Sequence, residues 1–271
     1  MADLPAELQI PDGLSAEDVR VLACCLASVI EVDAGDTLPT IAPALLLGHP
    51  SLAPYTAKML PPDGMGLVHE SQSFQRSAVL PLGDPLAVGA ELTEKGAARV
   101  FDFSVTDRDQ TALGAMQTRL RVVTPEDMGK FKGSQFPPHM DKGDVVWRES
   151  QLFDDEVVRR YLALARDPNP IHTSDEAARR VGLGGAVVPG MLFAGVIDYV
   201  LAAVLPDVVL AQMKLRFMAP VAVGEGLRYG VLTRATDAAG RAKTVRVFVL
   251  RYDNIIAAIA DLEMLSKDQA T

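Results

Sequence analysis

The run Asp167-Pro168-Asn169-Pro170-Ile171-His172 places a carboxylic acid and an imidazole five positions apart, with a rigid turn between them. Each proline removes a backbone donor, and each pushes the residue before it toward extended angles. The stretch therefore reads as a stiff loop that can hold both side chains toward one space. An acid/base pair of this kind suits the addition of water across an activated double bond, or its removal. Water must lose a proton while a carbon gains one, and each general acid–base group contributes about 10²–10⁴ in rate. The carbonyl oxygen of an activating thioester gathers negative charge meanwhile and needs a preorganised donor. In "VVPGM", Gly190 would bring a bare backbone N–H to the start of an apolar helix, where the helix dipole favours an oxyanion. Asp-Pro-Asn-Pro is equally a good turn, and a histidine at a loop–helix junction can serve a purely structural hydrogen bond.

The elements that would carry this loop are legible on both sides of it. Ser174 is a good N-cap for "DEAARRV", and Gly182 ends that helix. "GMLFAGVIDYVLAAVL" is apolar on nearly every face, as a helix embraced by a curved sheet would be, and Pro206 stops it. Earlier in the chain, Ser15 followed by Asp18 resembles a capping box before "VRVLACCLASV". The apolar run 41–55 is broken by Pro43, Pro50 and Pro54. From Gly66 the pattern turns to strands and turns.

"PLAVGAEL" at 85–92 lines up with "PVAVGEGL" at 220–227, 135 positions on. Alternating strands precede each copy and two strand-like runs follow it, so a doubled unit is the economical explanation. This divides the chain into residues 1–123, a Gly/Pro- and charge-rich linker at 124–146, and residues 147–271, which carry the Asp–His loop.

Bulk properties narrow the function class. Apolar residues are 49% and charged residues 23%, the profile of a soluble globular protein. A net charge of −9 disfavours nucleic acid, which needs a basic face to neutralise phosphates. The two cysteines, Cys24 and Cys25, are adjacent, so neither a disulfide framework nor a zinc site can be built from them. The start "MADLPAELQIPDG" has no signal-peptide pattern and the end "KDQAT" no targeting motif, so a cytoplasmic setting is expected. Residues 186–205 could pass for a membrane span, but Pro189 and Asp198 interrupt them, and a buried helix is expected instead.

The segment Tyr161 to Leu201 resembles the signature of the MaoC-like hydratase-2 family, the (R)-specific enoyl-CoA hydratases and dehydratases, with its SGDxNPxH run and downstream Pro-Ile-x-x-Gly-Met. "LVHESQSF" and "MKLRFMAPVAVGE" resemble the strands of its double-hotdog members. The resemblance implies an α+β double hotdog, two antiparallel sheets each wrapped around a central helix, with a degenerate first repeat that shelters the acyl chain. It implies Asp167 and His172 as the catalytic pair, Asn169 as the loop shaper and Gly190 as an oxyanion donor.

It further implies a trans-2-enoyl-CoA or acyl-carrier thioester as substrate, a (3R)-3-hydroxyacyl product, no cofactor and no metal. No nucleic-acid or membrane partner is implied, and a homodimer is compatible. The small Ser-Gly that usually precedes the aspartate is Ala165-Arg166 here, which puts the usual substrate range in question. Arg166 could reach a phosphate of CoA or an acidic acyl group, or pair at the surface. Lys214 and Arg216 alternate in "MKLRF" and would share one strand face, where they could meet CoA phosphates; Arg179 and Arg180 compete for that role. His49, His69 and His139 all lack acid partners at a comparable spacing and suit structural or surface roles, although His69 could line the tunnel. Two alternatives stay open: a thioester-binding accessory protein without turnover, and a hotdog thioesterase using Asp198 of the central helix.

Overall fold

The structure is a computed structural model that describes residues 7–35, 38–141 and 143–267. The terminal residues used above to argue for a cytoplasmic setting lie partly outside these. Strand β1 (Leu8–Ile10) leads into α1 (Ala16–Ser28), whose N-cap Ser15 accepts the Asp18 N–H at 3.2 Å. Next comes a chain of 3₁₀ turns, Ala42–Gly48, Pro50–Leu52 and Ala57–Met59, around the single-turn α2 (Ala53–Thr56). Prolines occupy the first turn of three of these pieces, where their fixed φ and missing donor are tolerated but a long helix is not.

Strands β2 (Gly66–Arg76), β3 (Leu86–Lys95), β4 (Ala98–Thr106) and β5 (Ala112–Val123) complete the first half. The connector contains α3 (Pro125–Met128). The second half runs β6 (Val145–Glu149), α4 (Asp155–Ala165), α5 (Asp175–Arg180), α6 (Gly190–Val204), β7 (Val208–Phe217), β8 (Leu227–Thr236), β9 (Ala242–Arg251) and β10 (Ile256–Ser266). Strand β6 thus begins inside the stretch read as linker.

The five-stranded sheets of the two halves join edge to edge. Strand order is β1-β3-β4-β5-β2-β7-β10-β9-β8-β6, with β2 and β7 pairing antiparallel from Ser71↔Arg216 to Gln75↔Gln212. Read outward from that seam, the order 2-5-4-3-1 repeats as 7-10-9-8-6, so the fold is doubled. The sequence match that suggested doubling is nevertheless out of register. "AVGAEL" lies within β3, whereas "AVGEGL" forms the turn before β8. The equivalent turns are Gly83-Asp84 and Gly224-Glu225, whose glycines both take left-handed angles, φ 78° and 88°.

The halves differ in what their sheets enclose. In the second, α6 is buried on all sides from Leu192 to Leu201, as its unbroken apolar face demands. The proline-broken turns at 42–59 fill the corresponding place in the first. Helices α1 and α4 pack against each other, and α1 also packs on α6. The connector lies along the outside of the second sheet, where Phe136 meets Trp147 and Phe248 edge-on at 5.6 and 5.1 Å. Trp147 therefore belongs to a small outer cluster, with Arg228 over its ring at 4.6 Å, rather than to the main core. Among the described residues, no helix is long and apolar enough to cross a membrane.

Candidate active site

Helix α4 ends where Arg166 adopts left-handed angles, φ 50°, and returns its N–H to the Leu162 carbonyl. This αL cap turns the chain sharply into the proline-braced loop. Glycine adopts such angles without penalty, whereas an ordinary side chain pays about 1 kcal/mol, so the small residue usual at this position has a backbone reason. Oδ1 of Asp167 accepts the Asn169 N–H at 2.9 Å, and Asn169 Oδ1 accepts the Ile171 N–H at 3.3 Å. These two side chains close consecutive turns within the loop, and Asp167 Oδ2 is left free to face the imidazole.

His172 Nε2 lies 3.7 Å from Asp167 Oδ2, and its other nitrogen, Nδ1, lies 2.7 Å from the Val187 carbonyl oxygen. A carbonyl can only accept, so in the neutral ring the proton sits on Nδ1 and Nε2 is bare. His172 is buried while Asp167 is half-exposed. The loop is pinned on its far side, where the Val187 N–H donates to the Ile171 carbonyl at 3.1 Å and Ser174 caps α5 by accepting the Ala177 N–H at 3.2 Å. Gly182, at φ 91°, lets the chain pass Pro125; a Cβ there would sit 2.0 Å from the Pro125 carbonyl oxygen.

Gly190 opens α6, so its N–H has no partner within the helix. A Cβ on Gly190 would meet the Phe217 ring at 2.7 Å. Two cavities converge on this group. The larger, about 510 Å³, is walled by apolar residues of 44–60, by Tyr161 and by the segment 165–169. The smaller, about 120 Å³, runs beneath Phe131, Phe217 and Pro220. Both are bounded by Leu67, His69, Ile171, His172 and Gly190, which together form a constriction between them. Burial first, and then the charge of Asp167, push the pKa of the Tyr161 phenol up.

The other candidates fall in different places. Exposed Arg166 borders the larger cavity and gives its Nη1–H to the Gly48 carbonyl at 3.3 Å. His69 lies in the constriction, and His49 borders the larger cavity while accepting the Ser51 N–H at 3.2 Å. Lys214 and Arg216 share one face of β7, as their alternation implies, but it is the exposed face and neither lines either cavity. Arg179 pairs with Asp175 at 2.9 Å and Arg180 pairs with Glu176, both at the surface, and His139 is exposed. Sequence reasoning missed the Val187 carbonyl, since nothing in a side-chain pattern marks a main-chain acceptor. It also missed Phe217, whose ring is the reason Gly190 has no room for a side chain.

Asp198 is buried in α6 and outside both cavity linings. It accepts the Thr40 N–H at 2.8 Å and the Thr40 hydroxyl at 2.7 Å, and burial raises its pKa. Its carboxyl ties the first half's broken segment to the central helix. Asp198→Leu should therefore destabilise by about 1–3 kcal/mol for each donor orphaned. Asp198→Asn, which can still accept from the N–H and donate to the hydroxyl, should cost less. Thermal unfolding of the two variants checks this.

A doubled antiparallel sheet around a central helix defines a double hotdog, and here a carboxylate and an imidazole stand at the entrance of that helix. Residues 138–251 match the family model described as MaoC like domain. A mitochondrial 3-hydroxyacyl-[acyl-carrier-protein] dehydratase of Arabidopsis thaliana is 33% identical over 97 residues, 35% of this chain and 58% of that protein. The chain thus spans a little over half the length of the curated relative it matches.

Among solved structures, a MaoC-like dehydratase from Phytophthora capsici superposes with a TM-score of 0.69 at 15% identity, covering 98% of this chain and 97% of that one. HtdX of Mycobacterium tuberculosis gives 0.67 at 18% identity, over 96% and 100%. These two likenesses extend the fold over both halves of the chain.

Proposed function

We propose that the protein is a hydro-lyase that interconverts a trans-2-enoyl thioester and a (3R)-3-hydroxyacyl thioester. One observation carries this reading: Asp167 Oδ2 and Nε2 of His172 face each other across 3.7 Å at the constriction that Gly190 also lines. A water molecule held by both groups is positioned to attack Cβ of an enoyl thioester. Between them the pair takes one proton from water and delivers one to Cα, ending in its starting state. The thioester oxygen, which gathers charge as the C–O bond forms, receives the Gly190 N–H at the positive end of α6. Asn169 holds the loop in shape.

The larger cavity, with its apolar wall from the first half, shelters the acyl chain, and the narrower arm takes the thread of the carrier. CoA is the carrier we favour. The named activity of the Arabidopsis relative makes an acyl-carrier protein the variant to test beside it.

Incubating the protein with trans-2-enoyl-CoA of several chain lengths tests the reaction. The expected result is loss of the conjugated-thioester absorbance with no release of free thiol. Thiol release would mean hydrolysis instead, and an unchanged spectrum with bound thioester would mean a protein that binds without turnover.

A further inference from the structure

We propose that His69, supplied by the half of the chain that lacks the Asp–His loop, completes the reaction site as a positioning residue that holds the acyl thioester at the constriction beside His172. The inference deepens the hydration reading and rests on it. Three observations lead to it. His69 borders both cavities, together with His172 and Gly190, so a ligand reaching from one cavity to the other must pass it. Its ring packs on Phe217 with centroids 4.4 Å apart, and Phe217 is the ring that abuts Gly190. Its rotamer is also fixed by a buried polar chain.

Gln72 gives its amide N–H to the Ser73 carbonyl at 3.2 Å, so its Oε1 is the acceptor for both the Thr118 hydroxyl at 2.7 Å and His69 Nε2 at 3.2 Å. A residue present only to fill space needs no such chain, and a satisfied buried network confers a unique geometry. Burial lowers the pKa of His69 to about 4, so the ring stays neutral where His172 works. The titratable groups sharing the larger cavity are His49, Tyr161, Asp167 and His172, with Arg166 at its border. On β2 itself, Glu70 is taken up by Arg119 and Arg121. A neutral His69 adds no charge beside the His172–Asp167 pair, whose facing atoms are 3.7 Å apart.

The test uses the full-length protein and its His69→Ala, His69→Gln and His69→Phe variants. Each is assayed with trans-2-enoyl-CoA across pH 5–9, and each is titrated calorimetrically with saturated acyl-CoA, which binds without reacting. His69→Ala should lower kcat by about 10–100-fold, the scale of a misplaced reactant. It should also weaken saturated acyl-CoA by about tenfold and leave both limbs of the pH profile where they are. His69→Gln, which can still reach Gln72, should recover part of kcat, and His69→Phe should not.

A His69→Ala protein within about twofold of the parent in both kcat and affinity would reduce His69 to core packing and overturn the proposal. A displaced pH limb would do so as well, because it would make His69 a titrating group. If the parent turns over no enoyl thioester, the hydration reading falls by itself. The calorimetric arm then decides His69 alone, and an unchanged affinity sinks it.

Discussion

Replacing His172 with Ala is expected to lower hydration of a trans-2-enoyl thioester by at least about 10²–10⁴-fold, the usual contribution of a positioned acid–base group. The loss should fall on kcat, because in the proposed mechanism the imidazole holds the water rather than the acyl chain, so KM should change little. Asp167→Asn should act on the same step. The amide keeps the shape and can still accept the Asn169 N–H, yet the charge that faces Nε2 at 3.7 Å is gone. Because the proposed mechanism has the two groups share one water, the double variant should be scarcely worse than either single one. Enoyl-thioester absorbance reads the rate, and thermal unfolding checks that the fold survives. Near-parental turnover in either single variant would remove that residue from the mechanism.

Gly190→Val should be nearly as damaging, for a different reason. Its Cβ would press into the Phe217 ring, 2.7 Å away. That ring cannot swing aside freely, since His69 lies 4.4 Å and Phe193 5.6 Å from it, centroid to centroid. The start of α6 must shift instead, carrying the amide away from the place proposed for the thioester oxygen. Loss of one oxyanion donor costs about 10²–10³ in kcat. A kcat lowered about 100-fold in a protein that still unfolds cooperatively would agree with this. An undiminished kcat would show that the amide is not the donor.

Much of the candidate site's geometry was legible because its parts lie close together in the chain. Asp167, Asn169 and His172 sit within six residues, and two prolines announce the loop that holds them. The central helix declared itself through an apolar surface without a polar stripe, and Pro43, Pro50 and Pro54 declared that the first half could not match it. What could not be read depends on distant packing. Period-two alternation put Lys214 and Arg216 on one face of β7 but could not say which face, since that is set by the sheet's curvature around α6. The Val187 carbonyl that orients His172 is a main-chain atom common to every residue. The register of the repeat slipped because short valine–glycine stretches look alike whether they run as strand or turn. Asp198, which invited a hydrolytic role, is occupied by Thr40 from the far half, a contact across 158 positions of chain.

The seam between β2 and β7 has a consequence for stoichiometry. Two identical subunits meeting along such an edge would have to carry two equal reaction centres, because any substitution would appear twice. Here a covalent tether makes the partners unequal, so mutation can hollow out one without disarming the other. Spare volume and reactive groups can then be optimised separately, and a saturated polypeptide should hold a single ligand rather than a pair.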